Sequence, residues 1–215
     1  MAAHPPIWLV WYGHDAFRIG APPLVYIDPW NLPEDVPLAD VILITHEHYD
    51  HCSPDDVEKI LGPDTVIVGP TSALQKLAHI QANKRVVRAG ETLQLGNLYL
   101  EVVPAYNINK RFHPREAGHV GYVLDLFGKR IYHAGDTDVI PEMNHIRCDV
   151  ALLPVSGKYV MDATEAAQAA NILQPELIIP MHFGALVGSR RDAERLAKLV
   201  DIPVRVLEPE ESLQL

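Results

Sequence analysis

Val41-Ile42-Leu43-Ile44-Thr45-His46-Glu47-His48-Tyr49-Asp50-His51 is the stretch on which the reading of this chain turns. Its first four residues are apolar and mostly β-branched, short enough for a buried strand. Ser53-Pro54-Asp55-Asp56 then reads as a helix start, with Ser53 as N-cap, Pro54 at the first helical position and Asp56 closing a capping box before Val57 to Leu61. His46, His48, Asp50 and His51 therefore sit on a loop leaving a strand end. Imidazoles and a carboxylate crowded this closely turn lone pairs toward one another, and the borderline donors suit Zn²⁺, Mn²⁺ or Fe. The spacing predicts a metal site.

The same pattern, His-x-His-x-Asp-His, resembles the signature of the metallo-β-lactamase-fold hydrolases. The resemblance extends through Gly13-His14-Asp15-Ala16-Phe17, Ile27-Asp28-Pro29, Tyr132-His133-Ala134-Gly135-Asp136-Thr137, Leu153-Pro154 and Pro180-Met181-His182-Phe183-Gly184. These segments look like the branch that contains L-ascorbate-6-phosphate lactonase, with N-acyl-phosphatidylethanolamine-hydrolysing phospholipase D more distant. The resemblance implies an α+β fold, a four-layer αββα sandwich with a dinuclear site at one edge between two sheets. It names no substrate, because one scaffold carries many chemistries.

By resemblance, His46 and His48 hold one divalent ion, Asp50, His51 and His182 the other, and Asp136 spans both. Zn or Mn is expected, and the ligand types tolerate Fe. Relatives often place a histidine after Pro-Ala-aromatic, whereas Pro104-Ala105-Tyr106 is followed here by Asn107. Either His113 supplies the missing ligand while Asn107 faces the metal weakly, or His113 or His119 contacts substrate and the first site is weaker. His14 is expected at the edge of the active site or as the cap of its own turn, and His133 as a core histidine. His4, His79 and His145 carry no motif and are expected in solvent. Lys110, within Asn109-Lys110-Arg111, is a candidate clamp for a phosphate or carboxylate. Arg115 and Lys158 are expected on loops bordering the site.

The 215 residues are 48% hydrophobic, enough for one large core, and a single domain over residues 1–215 is expected. A net charge of −10 without a Lys/Arg-rich run argues against a nucleic-acid groove or an anionic-membrane surface. Cys52 and Cys148 form no disulfide framework and suggest a reducing compartment, with Cys52 a conceivable ligand beside the metal loop. Met1 to Pro6 lacks a charged leader and Ile7 to Trp11 is too short to span a bilayer, so a cytoplasmic protein without membrane insertion is expected. An oligomer remains open.

Along the chain, strands are predicted at Ile7–Tyr12, Ala16–Ile19, Leu24–Ile27, Thr65–Val68, Arg85–Arg88, Thr92–Leu95, Leu98–Val103, Val120–Phe127, Arg130–His133, Val150–Leu153 and Leu177–Ile179, with a last one near Val204–Leu207. Helices are predicted after Pro70 through Ile80, from Asp162 through Leu173, and from Ser189 or Asp192 to Val200.

The chemistry implied is metal-assisted hydrolysis of a small, anionic ester, lactone or phosphodiester, with Asp50 and Asp136 as the catalytic carboxylates. No Gly-x-Ser-x-Gly elbow, Walker sequence or Gly-x-Gly-x-x-Gly is present, which leaves serine catalysis and nucleotide cradles unsupported. A nuclease, an iron-dependent redox enzyme and a non-catalytic metal-binding protein are the competing classes.

Overall fold

The computed structural model describes residues 4–215, so Met1 to Ala3 of the proposed leaderless start lie outside it. The first sheet takes β1 (Trp8–Gly13), β2 (Ala16–Gly20), β3 (Leu24–Ile27), β4 (Ala39–Leu43), β5 (Leu61–Gly69) and β6 (Asn83–Val86). The second takes β7 (Thr92–Leu95), β8 (Leu98–Pro104), β9 (Val120–Leu126), β10 (Lys129–His133), β11 (Val150–Pro154) and β12 (Leu177–Met181). A final strand, β13 (Ser212–Gln214), returns to pair with β1. The helices are α1 (Pro54–Lys59), α2 (Thr71–Lys76), α3 (Ala163–Leu173) and α4 (Arg190–Leu199).

The early strands form an antiparallel meander, then β3 through β6 run parallel. Parallel neighbours need a crossover, and α1 and α2 supply it between β4 and β6. This is why Val41 to Ile44, leading into the histidine loop, are apolar throughout rather than alternating. Val41 and Leu43 enter the core shared by both sheets, while Ile42 and Ile44 pack beneath α1 and α2 with Val57, Ile60 and Leu74. On the other side α3 packs on β11 and α4. The layers are thus helix, sheet, sheet, helix, as the resemblance implied.

Three elements differ from the reading of the sequence. Val204–Leu207 forms only one bridge, Val204 to Ile178, before a turn at 208–211 carries the chain back to β1. The helix after Pro70 ends at Lys76, and Leu77 to Ile80 stay buried through tight turns instead. The strand expected at Arg85–Arg88 lies earlier, at Asn83–Val86. Ser53 does cap α1, accepting from the Asp56 amide. The Asp56 carboxylate faces elsewhere: it accepts from the amides of Asn31 and Leu32, 2.8 and 3.0 Å away, and fastens the loop before β4.

The two sheets are tied together beside the histidine loop. The Tyr122 hydroxyl donates to the Ile44 carbonyl at 2.7 Å, Val120 N donates to the Thr45 carbonyl at 3.1 Å, and His182 N donates to the His14 carbonyl at 3.0 Å. His133, buried in the core, reaches the Asp15 carbonyl at 3.0 Å.

Candidate metal centre

Every candidate ligand follows the carboxyl end of a strand. His46, His48, Asp50 and His51 follow β4, His113 lies on the long loop after β8, Asp136 follows β10 and His182 follows β12. Parallel pairing through β10, β11 and β12, with His133 opposite Leu152 and Leu152 opposite Ile179, brings the last two loops to the same end.

Two groups of side chains converge. His46 Nε2 and His113 Nε2 lie 3.0 and 3.3 Å from His48 Nδ1. Tetrahedral ligation at ~2.0–2.1 Å would separate donor nitrogens by roughly 3.3–3.4 Å, so this trio fits a cation of zinc size. The second group is His14, Asp50, His51 and His182. His14 Nε2 lies 3.0 Å from Asp50 Oδ2, and His51 Nε2 lies 3.8 Å from the same oxygen. Asp136 stands between the groups. Its Oδ2 is 3.1 Å from His113 Nε2, 3.3 Å from His182 Nε2 and 3.9 Å from His46 Nε2, while Oδ1 is 3.5 Å from His51 Nε2.

The outward nitrogens are fixed by oxygen acceptors, which sets the inward ones. Asp28 Oδ2 accepts from His51 Nδ1 at 2.8 Å and from the Thr45 hydroxyl at 2.6 Å. Having spent its proton there, the Thr45 oxygen accepts from His46 Nδ1 at 2.9 Å. The Tyr159 carbonyl lies 3.3 Å from His113 Nδ1, and the Ser156 hydroxyl 2.8 Å from His182 Nδ1. The Nε2 lone pairs of His46, His51 and His113 are therefore turned inward, which is the tautomer a metal ligand needs.

Electrostatics give the same answer. Burial first, then repulsion from His51, pushes His46 well below the usual histidine range, and burial with repulsion from His113 lowers His48. Both rings stay neutral at pH 7, the ligating form. Burial alone would raise Asp136, but the charges of His182 and then His51 beside it hold it well below the usual carboxylate range. His51 differs: burial opposes its charge, yet Asp136, Asp28 and Asp15 raise it well above an ordinary histidine, so the metal-free ring is protonated and a cation would displace the Nε2 proton. His51 Nε2 and Asp136 Oδ1 are buried without a hydrogen bond. Orphaned buried atoms of this kind are costly, and a cation relieves them. The donor set fits a metal.

Backbone geometry marks the same residues. His14, Asp28 and His182 have φ of 49°, 46° and 59°. Such conformations are costly for non-glycine residues and gather where function requires them. Gly135 also lies at φ 61°, and a Cβ there would meet the Val120 carbonyl oxygen at 2.9 Å. Only glycine makes the turn that aims Asp136.

The residues named from the sequence divide as follows. His46, His48, Asp50, His51, His113, Asp136 and His182 come together, and His14 joins them through Asp50. Asn107 stands beside them but spends its amide: Oδ1 accepts from His113 N at 2.9 Å, and Nδ2 donates to the Tyr159 carbonyl at 2.9 Å and to Asp138 at 3.2 Å. It shapes the His113 loop rather than facing the trio. Lys110 is drawn to Asp138 and Glu165 at 2.5 and 3.1 Å, which turns its charge from an anion clamp into a loop anchor. His119 stacks beside His46, ring centroids 4.8 Å apart, with Nε2 3.2 Å from a Glu47 oxygen. Arg115 pairs with Glu142. Cys52 is buried and its thiol is pushed up to about 12 by desolvation, so it stays protonated and apart from the ligands. His4, His79 and His145 are exposed.

Two further carboxylates, Asp15 and Asp28, carry no ligand motif of their own in the sequence. Asp28 orients His51 and His46 as described, and Asp15 is wholly buried 3.7 Å from His51. The available signal was their place in Gly13-His14-Asp15 and Ile27-Asp28-Pro29, at strand ends beside the site.

In front of the ligands lies a cavity of about 380 Å³, walled on its far side by Tyr49, Phe112, Lys158, Tyr159, Leu186 and Val187. Among the described residues no helix is long and apolar enough to cross a membrane.

Comparison with known proteins bears on this arrangement. The family model for the beta-lactamase superfamily domain matches residues 8–182. A UPF0173 metal-dependent hydrolase of Thermoplasma acidophilum is 32% identical over 206 residues, covering 89% of each chain. The solved chain of a Parabacteroides distasonis protein assigned to the metal-dependent hydrolases superposes with a TM-score of 0.84 at 31% identity, covering 93% of this chain and 92% of its own. A metallo hydrolase of Ignicoccus hospitalis gives 0.79 at 25% identity, over 98% of this chain and 99% of its own. Sequence, topology and the ligand clusters agree, and the chain belongs to the beta-lactamase superfamily, among its metal-dependent hydrolases.

Proposed function

We propose that the protein hydrolyses a small, anionic ester, lactone or phosphodiester with two divalent ions, Zn or Mn, shared through Asp136. The observation that carries this reading is the position of Asp136, within 3.1–3.9 Å of nitrogens from both histidine groups. His46, His48 and His113 would hold one ion; Asp50, His51 and His182 would hold the other. When bound, such ions supply Lewis acidity and bring the pKa of water toward neutrality.

The chain's own residues set up the rest. Asp50 faces the cavity and remains ionised: burial opposes this, but the hydrogen bond with His14 brings it down to about 2. It is available to orient an attacking water. His14 positions that carboxylate and is itself lowered to about 4, chiefly by burial, so it is neutral at working pH. Lys158 is the cation in the cavity lining, exposed and without an acidic partner among the described residues. It supports an anionic group on the substrate. The cysteines, neither of them in a disulfide, fit a cytoplasmic setting.

The test is metal quantification on purified protein followed by a screen of lactones, phosphodiesters and acyl esters with Zn²⁺ and Mn²⁺. The reading expects about two ions per chain and turnover that chelation abolishes. Iron together with oxygen consumption would favour redox chemistry, and a metal content below one would end the two-ion proposal.

A further inference from the structure

The wall of the cavity opposite the ligands has a chemistry of its own. Of its six side chains, Tyr49, Phe112, Tyr159, Leu186 and Val187 are aromatic or aliphatic, and Lys158 alone is charged. Serine, threonine, asparagine, glutamine and arginine are all missing from the lining. Tyr49, Phe112 and Leu186 are 61%, 49% and 44% exposed. They come from separate segments, the loops after β4, β8 and β12, yet meet at one mouth. Scattered exposed apolar residues are ordinary, but a convergent patch at a site marks a surface that something apolar covers. The patch is also braced. Phe112 packs edge-on against Tyr159 with ring centroids 4.5 Å apart, and the Lys158 ammonium lies over the same Tyr159 ring at 4.9 Å.

This wall suits one kind of ligand and not another. Against this wall a body crowded with hydroxyls would give up water for two tyrosine hydroxyls and one ammonium, since the other polar groups of the lining, Asp50, Asp136, His48, His113 and His182, belong to the candidate metal centre on the opposite side. An acyl or aryl arm would lose water at no such cost and would cover the exposed rings. The cavity is near the lower end of the roughly 300–1,000 Å³ usual for small-molecule sites, which limits the arm to several carbons.

Building on the hydrolase reading above, we infer that the substrate carries an apolar acyl or aryl arm lying against Tyr49, Phe112 and Leu186, with its scissile group toward Asp136, and is not a polyhydroxylated molecule.

The test uses the full chain loaded with Zn²⁺ and titrated calorimetrically with octanoate and gluconate, which share a carboxylate and differ in the arm. Octanoate is expected to bind at least tenfold more tightly. The double variant F112A/L186A is expected to weaken octanoate at least fivefold, with gluconate affinity, metal content and melting temperature unchanged. Hydrolysis of 4-nitrophenyl butyrate and octanoate adds a readout, kcat/KM rising with chain length in the wild type and levelling in the double variant. Gluconate binding as tightly as octanoate, or an octanoate affinity indifferent to the double substitution, would overturn the inference. If octanoate is preferred but no ester, lactone or phosphodiester is cleaved, the apolar arm stands and the hydrolytic reading falls.

Discussion

Lys110 lies 2.5 Å from Asp138, its charge turned away from the cavity and into the base of the loop that carries His113. Asp138 also accepts from Ile108 N at 2.8 Å and from Asn107 Nδ2 at 3.2 Å. It is buried, and it lies two residues beyond Asp136. One carboxylate thus fastens the loop of one ligand to the strand end of another. Asp138→Ala would leave these donors without an acceptor and the ammonium without its charge partner. We expect a loss of about 3–5 kcal/mol, the scale for breaking a buried pair. At roughly 2–4 °C per kcal/mol for a chain of this size, the melting temperature should fall by about 6–20 °C. Metal retention should fall with it. Unchanged melting and metal content would show that the loop is held by other contacts.

His113→Ala removes one nitrogen of the trio and should lower the number of ions retained after dialysis, leaving the group around Asp50 and His182 loaded. His48→Ala and Asp136→Ala should abolish turnover of an identified substrate while far-ultraviolet circular dichroism stays near wild type. Near-wild-type rates in either variant are incompatible with a shared centre.

Asp28 orients both His51 and His46, the latter through the Thr45 hydroxyl. Asp28→Asn offers an amide donor where two donors already point. Partners of this kind are typically worth ~10–100-fold in metal affinity. Competition with a chromophoric chelator measures it, and an affinity within twofold of wild type would remove Asp28 from the account.

Gly135→Ala places a methyl group 2.9 Å from the Val120 carbonyl oxygen at a φ of 61°. The backbone must shift, at a cost of about 1–3 kcal/mol, and Asp136 moves with it. Thermal unfolding and metal titration should therefore both weaken, whereas a purely steric surface effect would spare the metal.

The metal-free protein should lose stability on mild acidification through His14. Burial lowers its folded pKa to about 4, against the ordinary 6.5. Between those values the unfolded chain binds the proton more readily, so stability rises with pH across pH 4–6.5 and is level in this respect outside that window. The contribution is on the order of 3 kcal/mol. Chelated protein scanned between pH 4 and 7 should show the slope, and His14→Gln should flatten it. A variant that keeps the wild-type slope would assign the acid sensitivity to another group.

The amino-acid sequence by itself placed the strand ends that carry the candidate ligands, and its family resemblance implied the fold class. Ligand spacing within His46 to His51 is local, and an apolar run before it makes a buried strand wherever that strand is placed. Strand ends at Asp136 and His182 were legible for the same reason: Gly135 demands a turn and Pro180 interrupts an apolar run. What depended on tertiary structure was the direction of side chains on long loops. Asn107, Lys110 and His113 lie within seven residues, and nothing local says which faces the metal. Asp138, distant in sequence and adjacent in space, takes Lys110 and leaves His113 to the trio. The closing strand was misplaced for a like reason. Val204–Leu207 has the composition of a strand, but only Val204 finds a partner, and the free edge of β1 is met by Ser212–Gln214 instead. A strand or a clamp is completed by its partner, and partners far along the chain are chosen by packing.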